Sequence, residues 1–227
     1  FYDFSKLELL PDKDNFLTID KELFSSIYGL PIGYKLLKDL LYKNFFGELI
    51  DITFICKSWL PDWRPGQDYK KTVSSRKELG GGILLEMSHE LDLMESLFSP
   101  IKIISSSISN SGLLDIDVED KANIIAQSAS KTRINLKIDF CSPNLERYVK
   151  VKGSQGEALW NISKGKFKVH NKHTKKEITL PIDPSIRLKK QLIHFLDCCD
   201  GKTSPIVSIN DGIKILEHVK KIRLLNK

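Results

Sequence analysis

Glu86 and His89 stand three residues apart at the head of an apolar run, directly after the triplet Gly80-Gly81-Gly82. A carboxylate and an imidazole on one helix face can work as an acid/base pair, because an imidazole both takes and gives a proton near neutral pH. Each glycine costs a helix interior roughly 1 kcal/mol relative to Ala, so three together imply backbone that something else approaches closely. The same residues also fit a plainer reading, a capped core helix carrying a satisfied histidine.

Wound at about 100° per residue, Ile83 to Phe98 forms one helix with Leu84, Met87, Leu91, Met94 and Phe98 on a single stripe. Glu86 and His89 fall on the opposite side as i,i+3 neighbours, flanked by Leu85 and Leu93. A helix that is apolar on two sides is sandwiched between layers.

Upstream lies a long loop, Ser58 to Lys71, whose two prolines and glycine interrupt regular structure while Trp59, Trp63 and Tyr69 sit within it. Aromatic side chains in a loop need a cover. Either Trp63, Arg64 and Tyr69 face a ligand as a binding lid, or the loop folds onto its own domain or a subunit partner.

Other candidates are weaker. His170 and His173 sit in a basic hairpin turn without a third ligand, so metal is not expected there. His194 and His218 lie in C-terminal helices with no acidic or nucleophilic constellation near them in sequence, and read as structural. There is no Gly-x-Ser-x-Gly elbow, no P-loop and no Gly-x-Gly-x-x-Gly fingerprint.

The 227 residues suffice for one sizeable core, or one domain plus a remnant of another. A net charge of +6 from 35 bases interspersed with 29 acids is too mild to argue for nucleic acid, and suits a small anionic substrate equally well. Cys56, Cys141, Cys198 and Cys199 match neither a zinc spacing nor a disulfide framework, so a reducing cytoplasm is expected. No run of 18 apolar residues and no leader is present, so neither a membrane span nor a signal peptide is expected.

In chain order, a short turn is expected at Ser5–Leu10, a buried strand around Asn15–Ile19 and a helix over residues 31–44. A period-two strand follows from Leu49 to Lys57. After the central helix a meander is expected, with strands at Ile101–Ile108, Lys121–Ala129, Thr132–Phe140, Arg147–Lys152, Glu157–Ile162, Lys166–His170 and Glu177–Leu180. Asp183 and Pro184 then open a helix that Gly201 ends, and Ser208 opens another carrying Ile213, Leu216, Val219 and Ile222. The fold class is α+β: a large, mostly antiparallel open sheet with helices on one face.

The segment IDITFICKSWLPDWRPGQDYKKTVSSRKELGGGILLEMSHELDLM, from Ile50 to Met94, resembles the glucose–fructose oxidoreductase, inositol dehydrogenase and rhizopine-catabolism (Gfo/Idh/MocA) family, in its surface-sugar biosynthesis branch. ERYVKVKGSQGEALWN at Glu146–Asn161 and LIHFLDCCDGKTSPIVSINDGIKILE at Leu192–Glu217 extend the resemblance. It implies an enzyme that moves a hydride between NAD or NADP and a sugar, cyclitol or nucleotide sugar. It also implies an N-terminal Rossmann domain that this chain largely lacks, with residues 1–28 as its remnant and linker. Residues 29–227 would then form the substrate-binding and dimerisation domain, a homodimer meeting through the open sheet face. On this resemblance His89 is the acid/base residue and Glu86 takes the position of an acid that is usually Asp, normally four residues from the histidine rather than three. Gly81 and Gly82 line the substrate pocket, and Trp63, Arg64 and Tyr69 belong to a variable specificity loop. No metal is implied, and the cofactor is expected to bind the full-length protein rather than this piece. The alternative is a non-catalytic binding or dimerisation module on the same fold.

Overall fold

A computed structural model describes residues 32–180 and 184–226; the expected elements at Ser5–Leu10 and Asn15–Ile19, the residues 1–28 assigned to a remnant, and Pro31 and Asp183 lie outside them. The described chain divides into two units. The first contributes α1 (Ile32–Tyr42) and α4 (Pro184–Cys199). In α1 the stripe Leu36, Leu37 and Leu40 is buried, as its spacing demands.

The second unit carries the sheet. Its strands are β1 (Leu49–Trp59), β2 (Lys102–Ser109), β3 (Lys121–Gln127), β4 (Arg133–Asp139), β5 (Cys141–Gly153), β6 (Gly156–Asn161), β7 (Lys166–Asn171) and β8 (Lys175–Thr179). They form one eight-stranded sheet in the order β2-β3-β4-β1-β5-β6-β7-β8. Every pairing is antiparallel except β1 with β4, which is parallel. Parallel neighbours need a long crossover, and the chain between them supplies it through two helices and two strands. Alternation runs cleanly along β4, where Ile134, Leu136 and Ile138 are buried while Arg133 and Lys137 are exposed. The buried set continues through Ile52, Phe54 and Cys56 on β1, Val149 and Val151 on β5, and Trp160 on β6, giving one apolar face under the helices. Ile55, which interrupts the alternation of β1, is buried on the other face between Lys137 and Tyr148.

The helix expected over Ile83–Phe98 is two helices, α2 (Ile83–Glu86) and α3 (Ser88–Phe98). The break falls at Met87, whose φ of −101° and ψ of 19° leave the helical region. No proline or glycine causes it; Met87 packs its sulfur 3.6 Å from Cys56 Sγ on β1, and tertiary contact overrides the continuous pattern. The expected stripe survives, with Leu84, Met87, Leu91, Met94 and Phe98 all buried.

The last helix, α5 (Ile209–Leu225), begins at Ser208 with a full capping box to Asp211. Its buried face is Ile215, Val219 and Ile222, whereas Ile213 and Leu216 are exposed. The sequence offers two apolar faces, and the one chosen lies on β2, where Ser106 Oγ donates to the Ile222 carbonyl and Asn226 brackets the backbone of Ile108. All four cysteines are free, and among the described residues no helix is long and apolar enough to cross a membrane.

Candidate functional site

The antiparallel register of β1 and β5 sets Cys56 directly opposite Arg147, both on the sheet face that meets α3. The first turn of α3 brings His89 and Glu90 over them. Glu90 is 1% exposed, and its Oε1 lies 3.1 Å from His89 Nε2 and 2.6 Å from Arg147 Nε. His89 is 49% exposed. An imidazole open to solvent on one edge is thus backed on the other by a sunken carboxylate. Neither Glu90 Oε1 nor Arg147 Nε has a well-aligned hydrogen bond, so the contacts are close electrostatic ones. A buried polar atom left in that state is uncommon.

Burial first, and Glu90 second, push the Cys56 thiol up to about 12, so the sulfur stays protonated at neutral pH. Cys56, His89 and Glu90 offer ligand atoms within 4.8 Å of one another, the one such group among the described residues. The Arg147 guanidinium lies against the same carboxylate oxygen that a cation there would use. What the cluster can do is hold an imidazole in place and let its open edge exchange a proton.

Glu86, the acid expected to serve His89, sits at the end of α2 before the break and makes no ion pair with a described residue. The partner is Glu90, which spacing alone disfavours because adjacent helical residues do not face each other. Its one signal in the sequence is its place three residues after Met87 and four before Met94, at the edge of the expected seam.

The glycines are closed by the chain itself. Gly80 takes the left-handed conformation that ends a 3₁₀ turn at Lys77–Leu79. A Cβ on Gly81 would lie 2.2 Å from the Val73 carbonyl oxygen, and one on Gly82, with φ of +108°, would strike the Glu119 carboxylate at 2.8 Å. The N–H groups of Gly81, Gly82 and Ile83 donate to the carbonyls of Arg76, Ser74 and Glu119. The close approach that the triplet implies is therefore made by residues 73–76 and 119.

The preceding loop is a chain of 3₁₀ turns rather than irregular coil, at Leu60–Trp63, Tyr69–Lys71, Val73–Ser75 and Lys77–Leu79. Trp63 donates from its indole to Ser58 Oγ at 2.9 Å and stacks edge-on against Phe140 at 5.1 Å. The Tyr69 carbonyl accepts from Thr72 and Ser75. The Tyr69 hydroxyl accepts from the Asp115 N–H at 3.4 Å, so both aromatics are engaged within their own domain. Arg64 is exposed, reaches Ser74 Oγ at 3.3 Å, and lines an open groove of about 590 Å³ with Gln67, Asp68, Lys71, Thr72 and Val73. The structure brings Arg64 to a groove with Lys71; it does not gather all three loop residues there.

A second ionic cluster lies between α3 and α5. Glu95 pairs with Lys214, with His218 Nε2 at 3.0 Å and with Ser99 Oγ at 2.7 Å. Burial pulls its carboxyl up, but the hydrogen bonds from Lys214, Ser99 and His218 outweigh that and hold it below the usual range. His218 finds its acid 123 residues away, in Glu95. Near it, burial and then Asp211 raise the Asp92 carboxyl, with His89 opposing.

The fold is shared with solved oxidoreductases. KijD10, a 3-ketoreductase from Actinomadura kijaniata solved with NADP and TDP-benzene, superposes with a TM-score of 0.71 at 14% identity over 86% of this chain and 59% of its own. A putative oxidoreductase from Thermotoga maritima gives 0.63 at 19% identity over 85% and 57%. One from Erwinia carotovora atroseptica gives 0.64 at 14% over 85% and 60%. The chain therefore spans 57–60% of the length of these proteins. No curated protein is similar enough to match it. The profile of the GFO/IDH/MocA C-terminal domain covers residues 34–159, more than half of the sequence, and the chain belongs to that family.

Proposed function

We propose that the chain is the substrate-side domain of an NAD(P)-dependent oxidoreductase acting on a sugar, a cyclitol or a nucleotide sugar, with His89 as its acid/base residue. The observation that carries this reading is the half-open imidazole of His89, anchored on the buried carboxylate of Glu90. Membership in a family of sugar-type oxidoreductases supports it, as does the groove at Arg64 and Lys71, whose two cations suit the phosphates of a nucleotide sugar.

A bound nicotinamide cofactor would serve as hydride acceptor when the substrate is oxidised and as hydride donor in the reverse direction. The described residues do not fit its pyrophosphate: the glycine run, the natural candidate, has its N–H groups committed to internal carbonyls. On this reading the dinucleotide is held elsewhere in the full-length protein, and this chain's residues bind the sugar and move the proton. As a substrate hydroxyl is oxidised His89 accepts its proton, and in the reverse direction returns it.

The face of the sheet opposite the helices, where Tyr148 and Leu159 are half-buried, is the surface we assign to a homodimer. The alternative of a non-catalytic module draws support from Trp63, which packs against Phe140 rather than facing the groove. The two separate on one experiment: the full-length protein is incubated with NAD or NADP and a panel of free sugars, cyclitols and sugar nucleotides, and nicotinamide reduction is followed. Turnover of at least one class supports the enzyme, and none with any class supports the module.

A further inference from the structure

We propose that Glu90 is a positioning residue that fixes the tautomer of His89, so that the proton exchanged with substrate travels through Nδ1 and not through Nε2. The proposal rests on the acid/base reading of His89 above and names the atom at which it acts.

The geometry is asymmetric about the ring. Nε2 lies 3.1 Å from a carboxylate oxygen whose residue is 1% exposed. A lone pair turned toward that oxygen is repelled and an N–H is attracted, so the neutral ring carries its hydrogen on Nε2. Nδ1 has no hydrogen-bond partner among the described residues, and the side chain is 49% open to solvent. The available lone pair is therefore on Nδ1. A proton leaving a substrate hydroxyl forms the N–H bond there, giving an imidazolium whose Nε2–H still faces Glu90.

The carboxylate is itself pinned. Arg147 Nε, 2.6 Å away, arrives from β5 because the β1–β5 register sets Arg147 opposite Cys56. Cys56, with its thiol pushed up to about 12, stays neutral and does not compete for the guanidinium. Glu90 thus holds His89 as second partners hold catalytic and metal-bound histidines, by fixing which nitrogen is protonated.

The test is a long-range ¹H–¹⁵N spectrum of the whole protein with its five histidines ¹⁵N-labelled, recorded at a pH where the rings are neutral, with the His89 signals assigned by their loss in His89→Gln. In the wild type His89 shows a single Nε2–H tautomer, unlike the exposed His170 and His173. In Glu90→Gln the single oxygen that faces both Arg147 and Nε2 becomes a neutral amide oxygen, so its hold on the Nε2–H weakens and the Nδ1–H tautomer gains population. Identical tautomers in wild type and Glu90→Gln overturn the proposal. If Glu90→Gln fails to fold, the wild-type spectrum decides: a His89 ring averaging like those of His170 and His173 overturns it equally. Turnover separates this from the reading beneath it. A His89→Ala enzyme at full turnover removes the acid/base role and the Nδ1 route with it. A tautomer that ignores Glu90, in an enzyme that needs His89, removes only the present proposal.

Discussion

Two glutamates on α3, five positions apart, are both buried and both face cations, yet they are settled differently. Glu95 is satisfied on every side, by Lys214, His218 and Ser99, and its carboxyl is held low in spite of burial. Glu90 has Arg147 and His89 within 3.1 Å, but its Oε1 has no aligned donor. A fully paired buried acid stabilises the docking of α5 on α3. An acid whose contacts are close but unaligned does less for stability and leaves its neighbour's proton under control. The difference teaches that burial of a charge does not by itself fix how completely it is paired.

Four substitutions or titrations act on that contrast. Gly81→Ala bears on both glutamates at once, because the glycine run sets where α2 and then α3 begin. Its Cβ would meet the Val73 carbonyl oxygen at 2.2 Å, so a loss of roughly 3 kcal/mol is expected by thermal melting. A neutral result would mean that the turn at 73–76 yields and the glycines serve a ligand instead. Glu95→Gln, which keeps the shape but removes the charge shared by Lys214 and His218, should cost about 2 kcal/mol in chemical denaturation. Glu90→Gln should cost under about 1 kcal/mol by the same assay while altering the chemistry of His89. Equal losses at the two positions would erase the distinction.

The smallest effect is on the acid side of the stability curve. The folded-state pKa of Glu95 is lowered below its ordinary 4.5, so its contribution is complete above that value and is lost as pH falls through the lower, folded one. Melting temperature should therefore decline more steeply below about pH 4.5 in the wild type than in Glu95→Gln. Parallel curves would mean that Glu95 carries no linked stability.

Much of this was legible in the sequence. Period-two alternation in Ile134 to Phe140 and the seam Leu84, Met87, Leu91, Met94, Phe98 report burial directly, because each reflects one face of one element meeting one core. The capping box at Ser208 was readable for the same local reason. What could not be read is non-local. The break at Met87 depends on a sulfur contact with Cys56 31 residues away, and the parallel pairing of β1 with β4 depends on sheet order. Arg147 is ordinary in sequence and enters the site only through the register that sets it against Cys56. Glu90 was hidden by a sound rule, that neighbours on a helix do not face each other, which the 3.1 Å contact between His89 and Glu90 in the first turn of α3 breaks. The resemblance carried the histidine's part of the site; the carboxylate behind it became visible only with the fold.

The central claim is that His89 exchanges the proton in a nicotinamide-linked reaction of a sugar-type substrate. It is tested most directly by the steady-state turnover of His89→Ala in the full-length protein, beside its melting temperature. The expected result is a fall in turnover of roughly 100-fold or more, at unchanged fold stability and with nicotinamide binding retained. Turnover within about twofold of wild type would contradict the account, since that is far less than the loss of a general acid/base allows.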